Sequence, residues 1–136
     1  MKRIMLFLFL VVLIIGCKKE SVKKVKELKE KSESSSQNLD FSKFKVTFIE
    51  LGSVNCVPCK MMQPVMKQVE EKYKGQVNVV FYDVWTEKDA PMAEKYQIQV
   101  IPTQVFLDSN GVEFSRHQGF FPFEELEKIL KQQGVN

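Results

Sequence analysis

The chain has few of the residues that metal and nucleic-acid sites require. Its 136 residues include one histidine and three cysteines, and its 20 basic residues are mixed with 17 acidic ones. A structural zinc site takes four ligands, and a cysteine pair with only His117 to add falls short of that number, so we expect no metal. The lysines form no basic block interleaved with aromatic residues, so we expect no nucleic-acid partner.

Long apolar runs are also scarce. The run near the N-terminus, Ile4–Ile15, has twelve residues. As a helix it would be about 18 Å long at about 1.5 Å per residue, too short for a hydrocarbon core of about 30 Å. The run follows two basic residues and precedes Gly16 and Cys17, which is the order of a cleavable export signal. We therefore predict a signal peptide over residues 1–16 rather than a permanent transmembrane anchor.

The end of this signal, Leu13 to Cys17, resembles the lipobox of bacterial lipoproteins. In that family the cysteine receives a diacylglyceryl group and becomes the first residue, so Cys17 would be the lipidation site and the contact with a lipid membrane. The alternative is a plain secretory signal with an incidental cysteine, because Ile15 is bulkier than the usual residue there. The lipobox implies an extracytoplasmic, membrane-anchored lipoprotein on the periplasmic or outer cell-surface side.

Residues 17–40 contain many lysines, glutamates and serines and no aromatic residue. This composition cannot bury a core of its own, and Ser32 to Gln37 is typical of a flexible linker. We predict a tether here. The remaining residues, 41–136, are predicted to form one domain, because the chain has no room for a second large one.

The domain sequence alternates between strand and helix patterns, with an Asn-Gly turn typical of a hairpin near its end. Strands are predicted over Lys45–Leu51, Val77–Val84, Thr103–Leu107 and Val112–His117, the first two of them buried. Helices are predicted over Pro58–Lys74, Ala90–Tyr96 and Phe123–Gln132. This order implies an α/β fold with a central mixed sheet and helices on both faces.

The segment Cys56-Val-Pro-Cys59 follows the first predicted strand and opens the first long helix. Helix N-termini have unpaired amides and a partial positive charge, which favour a thiolate over a thiol. Thiolates with a lowered pKa attack disulfides, so Cys56 is the predicted nucleophile. Cys59, one turn into the helix, would be more shielded and would resolve the mixed disulfide.

From Phe41 to Asn136 the chain resembles the thioredoxin family. Four features carry the resemblance in the family's order: Cys56-Val-Pro-Cys59 with Lys60 behind it, Pro64, Ile101-Pro102-Thr103, and Gly119 after the hairpin. The resemblance implies a thioredoxin fold, which agrees with the predicted mixed sheet.

The same resemblance implies a reaction and a site. Thioredoxins exchange thiols for disulfides through a redox-active disulfide, here Cys56 and Cys59, and need no cofactor beyond that dithiol. The family's proline at the position of Pro102 is cis and faces the cysteines, and the residue before it, here Ile101, pairs its backbone with the bound polypeptide. Ile101, Pro102 and Gly119 are therefore the expected substrate-binding residues.

Glu50 lies among the apolar residues of the first predicted strand. A carboxyl group in a buried strand must be paired, hydrated or neutral, and burial raises its pKa. Glu50 matches the position of the buried acid that relays a proton to the resolving cysteine in thioredoxins, with glutamate in place of aspartate. The alternative is an edge-strand glutamate that reaches solvent.

Two departures from the family concern the expected docking surface. Asn55 stands where thioredoxins have a tryptophan, and Gly52 stands where an aromatic residue is frequent. Both changes remove apolar surface beside the cysteines and leave the choice of substrate open. The chain's single tryptophan, Trp85, is expected to pack under a long connection rather than to serve in recognition.

The sequence thus predicts a membrane-anchored extracytoplasmic thiol–disulfide oxidoreductase, a monomer that reduces disulfides in other polypeptides. A membrane thiol carrier would supply its electrons, because such a pair tends to oxidise outside the cytosol. Two alternatives stay open. One is a disulfide oxidase or isomerase with the same residues, and the other is a non-catalytic binding module with a static disulfide.

Overall fold

The computed structural model describes residues 40–136. The predicted signal peptide, Cys17 and the tether up to residue 39 lie outside the described residues. After a short 3-10 helix, the strands are β1 Val46–Gly52, β2 Val77–Asp83, β3 Thr103–Asp108 and β4 Glu113–Gln118. The helices are α1 Val57–Lys72, α2 Ala90–Lys95 and α3 Phe123–Gln132. Within this range no helix has both the length and the apolar character needed to cross a bilayer.

The four strands form one mixed sheet in the order β2-β1-β3-β4. The β1–β2 pair is parallel, while β3 runs antiparallel to both of its neighbours. Every residue of β1 is buried, since this strand lies inside the sheet and is covered on both faces. The predicted burial of the second strand is wrong in part. Most of β2 is half-buried, because among the described strands it pairs only with β1.

Helices cover both faces of the sheet. Alternate residues of each strand point to opposite faces, so β1 contributes to two separate layers. The layer under α1 and α3 includes Val46, Phe48, Met62, Val69, Phe106, Leu126 and Leu130. The layer on the other face, next to α2 and the segment after it, includes Ile49, Leu51, Val105, Leu107, Met92, Tyr96 and Ile98. The predicted α/β architecture is confirmed.

Helix α1 owes its position to an apolar stripe. Cys59, Met62, Val65, Met66 and Val69 are buried along one face, at the three- and four-residue spacing of an amphipathic helix. Burial of each large apolar side chain contributes about 1.5–3 kcal/mol. Because Cys59 belongs to this stripe, the packing that holds the helix also fixes the first turn, where the cysteines lie.

One edge of the sheet collects the ends of three strands. The antiparallel register pairs Leu51 with Thr103, and Thr103 with Gln118. Gly52 at the end of β1, Pro102 before β3 and Gly119 after β4 therefore lie beside one another. We call this the disulfide edge, since α1 begins there as well.

Candidate active site

Cys56 and Cys59 form a disulfide, with 5.2 Å between their Cα atoms. Cys56 is the N-cap of α1, and its Sγ accepts a hydrogen bond of 3.4 Å from the backbone N–H of Cys59. The side chain of Cys56 keeps 8% of its exposure, while Cys59 keeps none. Cys59 is therefore the more shielded of the two, as the sequence predicts, while Cys56 keeps a small exposed fraction at the start of the helix.

A tight turn presents Cys56. The backbone N–H of Cys56 donates to the carbonyl of Ser53 at 3.2 Å, and Ser53 Oγ accepts from the N–H of Asn55 at 3.2 Å. Asp83, at the end of β2, accepts from the N–H of Val54 at 3.3 Å. The loop that leads to Cys56 is thus hydrogen-bonded both to itself and to a neighbouring strand.

Gly52 lies next to both Cys59 and Glu50. A Cβ atom at Gly52 would lie 3.2 Å from the Cβ and Sγ of Cys59 and 3.4 Å from Oε1 of Glu50. The contacts with Cys59 are tighter than most in protein interiors, so a side chain at this position would require Cys59 to shift by a few tenths of an ångström. In the sequence, Gly52 is notable only for the aromatic residue that is missing there. The structure gives a reason for glycine at this position, since Cys59 and Glu50 share the space above it.

Glu50 is fully buried on the face of the sheet that packs against α1. The side-chain amide of Gln104 donates a hydrogen bond of 2.9 Å to Oε2 of Glu50, whereas Oε1 has no hydrogen-bond partner within residues 40–136. Burial raises the pKa of Glu50 to about 8, and the Gln104 hydrogen bond opposes this shift. The alternative of a solvent-reaching edge-strand glutamate is wrong, because β1 lies inside the sheet.

The peptide bond between Ile101 and Pro102 is cis, as the resemblance implies. The backbone N–H of Gly119 donates to the carbonyl of Pro102 at 2.8 Å. Gly119 has φ of 89°, in the left-handed region that favours glycine. The structure brings these three predicted residues together at the disulfide edge. Their role in substrate binding stays a prediction.

Exposed apolar side chains surround the disulfide edge, although the sequence favoured an edge poor in apolar surface. They come from the loops at the ends of β1 and β2, from the start of α1, and from the segments beside Pro102 and Gly119. We call them the apolar rim: Val54, Val57, Met61, Trp85, Val100 and Phe120. The missing family aromatic is therefore offset by apolar residues at other positions.

The expectation for Trp85 is wrong, because 63% of this residue is exposed. Its loop is held by polar contacts instead of a buried ring: Asp83 accepts from the N–H of Trp85 at 3.2 Å and from Oγ1 of Thr86 at 2.7 Å. The tryptophan lines a shallow cleft of about 270 Å³ together with Val84, Ala93, Ile98, Gln99, Val100 and Ile101. This cleft ends next to the cis peptide bond.

Other polar features lie outside this arrangement. A cleft of about 550 Å³ lies at the opposite end of the sheet and is lined mainly by polar residues, among them Ser42, Lys43, Gln76 and Asn110. His117 stacks on Phe121 with ring centroids 4.0 Å apart. Residues 40–136 contain no group of three or more histidine, cysteine, aspartate or glutamate side chains that could hold a metal ion.

A family profile described as "Thioredoxin-like domain" matches residues 42–134. Thioredoxin Y of Oryza sativa subsp. japonica, a chloroplastic protein, is 32% identical over 112 residues, which cover 82% of this chain and 58% of the rice protein. Thioredoxin Y2 of Arabidopsis thaliana, also chloroplastic, is 31% identical over 102 residues, or 75% of this chain and 59% of that protein. The chain thus spans about three fifths of these two plant relatives.

A bacterial relative is covered more fully. Thioredoxin from Staphylococcus aureus is 33% identical over 86 residues, which are 62% of this chain and 79% of that protein. Among solved structures, chloroplastic thioredoxin z has a TM-score of 0.60 and 24% identity over 79% of this chain and 90% of its own. A mutant thioredoxin from Halobacterium salinarum NRC-1 has a TM-score of 0.62 and 21% identity, covering 71% of this chain and 80% of its own. These structures share the fold described above.

Proposed function

The chain belongs to the thioredoxin family, and on that premise we propose that it is an oxidoreductase that exchanges thiols for disulfides in other polypeptides. One observation carries the proposal: Cys56 and Cys59 form a disulfide in which one sulfur caps α1 and the other is buried. In the reduced protein, the Cys59 amide and the helix N-terminus would stabilise a thiolate at Cys56. A thiolate at the surface is what attack on an external disulfide requires.

The reaction in the reductase direction has two steps. The Cys56 thiolate attacks one sulfur of a client disulfide, whose S–S bond breaks as a mixed disulfide forms. Cys59 then loses its proton and attacks Cys56, so that the Cys56–Cys59 bond forms while the bond to the client breaks. The dithiol loses two electrons, and the client leaves as two thiolates that take up protons from water.

We assign to Glu50 the role of accepting the proton that Cys59 loses. Its Oε1 and the Sγ of Cys59 lie within 3.4 Å of the same point above Gly52. Because burial raises the pKa of Glu50 to about 8, its carboxyl group can both accept and release a proton near neutral pH.

We assign substrate docking to the apolar rim and to the groove of Ile101, Pro102 and Gly119. An extended client segment that covers the rim would remove apolar surface from water, which favours association in proportion to the buried area. The reacting sulfur of the client would then lie over Cys56, the more accessible of the two cysteines.

We further propose that the protein works as a reductase outside the cytosol, anchored through a lipidated Cys17. The lipobox-like segment and the tether composition support the anchoring. A reductase outside the cytosol must be reduced again after each reaction, because the surroundings oxidise proximal thiols. A membrane thiol carrier that passes cytosolic reducing power outward fits this requirement, with non-native disulfides or heme-attachment cysteines as clients.

Insulin reduction by the purified full chain, with dithiothreitol as electron source, tests the chemistry. Replacement of the nucleophile in Cys56→Ser should lower the rate to that of dithiothreitol alone. The matched control is Cys17→Ser, which also removes one thiol but leaves the pair intact and should reduce insulin at the wild-type rate. Equal rates for wild type and Cys56→Ser would overturn the oxidoreductase proposal in favour of a binding module.

The redox state of the pair in living cells tests the direction. Rapid acid quenching followed by a mass-tagging thiol reagent separates the dithiol from the disulfide. A mainly reduced pair is the expected result, because only a donor can keep it reduced outside the cytosol. A fully oxidised pair in a protein that still depends on Cys56 would replace the reductase by an oxidase or isomerase.

A further inference from the structure

Gln104 is a fully buried polar residue in the second position of β3. Its Nε2 donates one hydrogen bond of 2.9 Å to Oε2 of Glu50 and another of 3.1 Å to the carbonyl of Gly119. In the sheet it pairs with Glu50 on one side and with His117 on the other. A single buried amide thus connects the acid behind the cysteines with the glycine at the disulfide edge.

Packing alone does not account for an amide at this position. The surrounding layer is apolar, and a leucine of similar size would fill the space without burying polar atoms. The oxygen of the Gln104 amide has no hydrogen-bond partner within residues 40–136, so within this range the amide acts as a donor only. The amide provides two N–H donors, one of which donates to Glu50.

The orientation of the amide follows from its two partners. The Gly119 carbonyl can only accept, so a reversed amide would bring two oxygens together. With Nε2 facing Glu50, Oε2 of the carboxyl group is held as an acceptor. A proton on neutral Glu50 therefore resides on Oε1, the oxygen that shares the space above Gly52 with the Cys59 sulfur.

We propose that Gln104 is a positioning residue of the thiol–disulfide reaction: it holds Glu50 by Oε2, directs Oε1 toward Cys59, and links this arrangement to Gly119 in the substrate groove. The inference rests on the proposed function and adds a residue that the family resemblance does not supply. In the resolving step the Cys59 S–H proton passes to Oε1, the Cys59 thiolate forms the bond to Cys56, and the client sulfur leaves with the electron pair of the broken bond. Glu50 afterwards returns its proton to water.

A pH titration of Glu50 must be interpreted together with the groups that surround this residue. Phe81 on β2 is apolar, and α1 contributes the two cysteines. His117 lies one strand beyond Gln104. Burial raises the pKa of Glu50, and the Gln104 hydrogen bond is the contact that lowers it. Loss of this donor should therefore raise the pKa of Glu50 further.

The first test compares the pH at which Glu50 loses its proton in the wild-type chain and in Gln104→Met. Methionine has a similar length and no donor. In the oxidised full chain, infrared difference spectra report the C=O band of the protonated carboxyl group, identified by its loss in Glu50→Gln. We expect the midpoint in Gln104→Met to lie about one to two pH units above that of wild type. The control is Val105→Ala, a buried change on the opposite face of β3, which should leave the midpoint unchanged.

The second test measures how fast the mixed disulfide is resolved as a function of pH. The Gln104→Met rate at pH 7 should fall about tenfold, and its pH profile should move upward with the infrared midpoint. In a Glu50→Gln background, Gln104→Met should have no further effect, because the amide acts only through the acid. Equal fractional losses with and without Glu50 would make Gln104 a packing residue and overturn the inference.

A measurement on the unaltered side chain covers the case in which Gln104→Met does not fold. The Nε2 protons of Gln104 should change their NMR chemical shift in parallel with the infrared titration of Glu50. If they are insensitive to that titration, the inference is wrong even when insulin reduction depends on Cys56. If the shifts agree while Cys56→Ser reduces insulin as fast as wild type, the coupling exists and the proposed function fails instead.

Discussion

Cys56 and Cys59 lie three residues apart but in different surroundings. The first has a sulfur at a helix end, where an amide can donate to it, and the second is enclosed by α1 and the end of β1. The order of events in the proposed reaction follows from this difference, since an external disulfide can reach only the first sulfur. The residues around Cys59 then decide how easily the second sulfur loses its proton.

Gly52→Ala should harm the site through a single methyl group. The added carbon would lie 3.2 Å from the Cβ and Sγ of Cys59, and forcing α1 away from β1 should cost about 1–3 kcal/mol of unfolding free energy. Urea unfolding of the oxidised chain measures this loss, and single-turnover kinetics should show slower resolution by Cys59. A variant as stable and as fast as wild type would mean that the helix shifts without cost.

Glu50 should make the stability of the oxidised protein depend on pH. Its pKa rises from 4.5 in the unfolded chain to about 8 in the folded protein, so between these values the folded state binds more protons. Stability is therefore full below about pH 4.5 and falls as the pH rises toward 8. Relative to Glu50→Gln, wild type should lose roughly 2–4 kcal/mol of unfolding free energy between pH 4.5 and 8.

Urea unfolding at pH 4.5, 6 and 8 measures that difference, with both chains oxidised so that no thiol titrates. The glutamine variant keeps the size of the side chain and cannot ionise, which makes it the matched control. Parallel stability curves for the two chains would show that Glu50 binds its proton equally in the folded and the unfolded chain, contrary to the expected shift.

At the scale of elements, the proposed site is made by the ends of β1, β3 and β4 and by the start of α1. None of these elements contains the whole site, and each is held by packing in its interior. The loops at these ends carry the apolar rim, so their sequence can vary the docking surface while the sheet keeps the cysteines in place.

Trp85→Ala should weaken the docking of a protein client and leave the stability of the chain nearly unchanged. The side chain is 63% exposed and lies beside the cleft that leads to the cis peptide bond, so its removal should change the unfolding free energy by less than about 0.5 kcal/mol. Reduction of a protein client should slow about fivefold or more, the effect of losing an aromatic contact worth roughly 1 kcal/mol. Reduction of a small aromatic disulfide, which does not cover the rim, should not change.

Val112→Ala provides the control for that experiment. Val112 is 59% exposed but lies in the β3–β4 turn at the opposite end of the sheet. Val112→Ala should leave the reduction rates of the protein client and of the small aromatic disulfide unchanged. If Trp85→Ala reduces the protein client as fast as wild type, Trp85 does not take part in docking.

At the scale of the whole molecule, the described domain is proposed to act at the end of a lipid-anchored tether. Lipidation would concentrate the domain at the membrane, where the proposed electron donor would also lie. The lysine-, glutamate- and serine-rich composition of residues 17–40 is the basis for the predicted tether.

Replacement of Cys17 should release the protein from the membrane. In cells fed a fatty acid with a clickable tag, wild type should carry the label and fractionate with membranes, whereas Cys17→Ala should do neither. Cys56→Ala is the matched control, since it also removes a cysteine and should remain labelled. An unlabelled wild-type chain in the soluble fraction would support the plain secretory signal instead.

Local patterns in the sequence were enough to predict the architecture and the unequal cysteines. Helix α3 begins and ends where its apolar spacing indicates, and the Asn-Gly turn lies where the hairpin closes. Such features depend on residues a few positions apart, whose geometry is set by helix and strand periodicity and by the chemistry of caps and turns.

Contacts between distant residues were decided only by the tertiary structure. Glu50 and Gln104 are 54 positions apart, and their hydrogen bond follows from the pairing register of β1 with β3. The crowding above Gly52, the half-burial of β2 and the exposure of Trp85 likewise depend on which elements become neighbours. Periodicity indicates which face a side chain takes along its own strand or helix, but the group opposite it is set by register and packing across the whole fold.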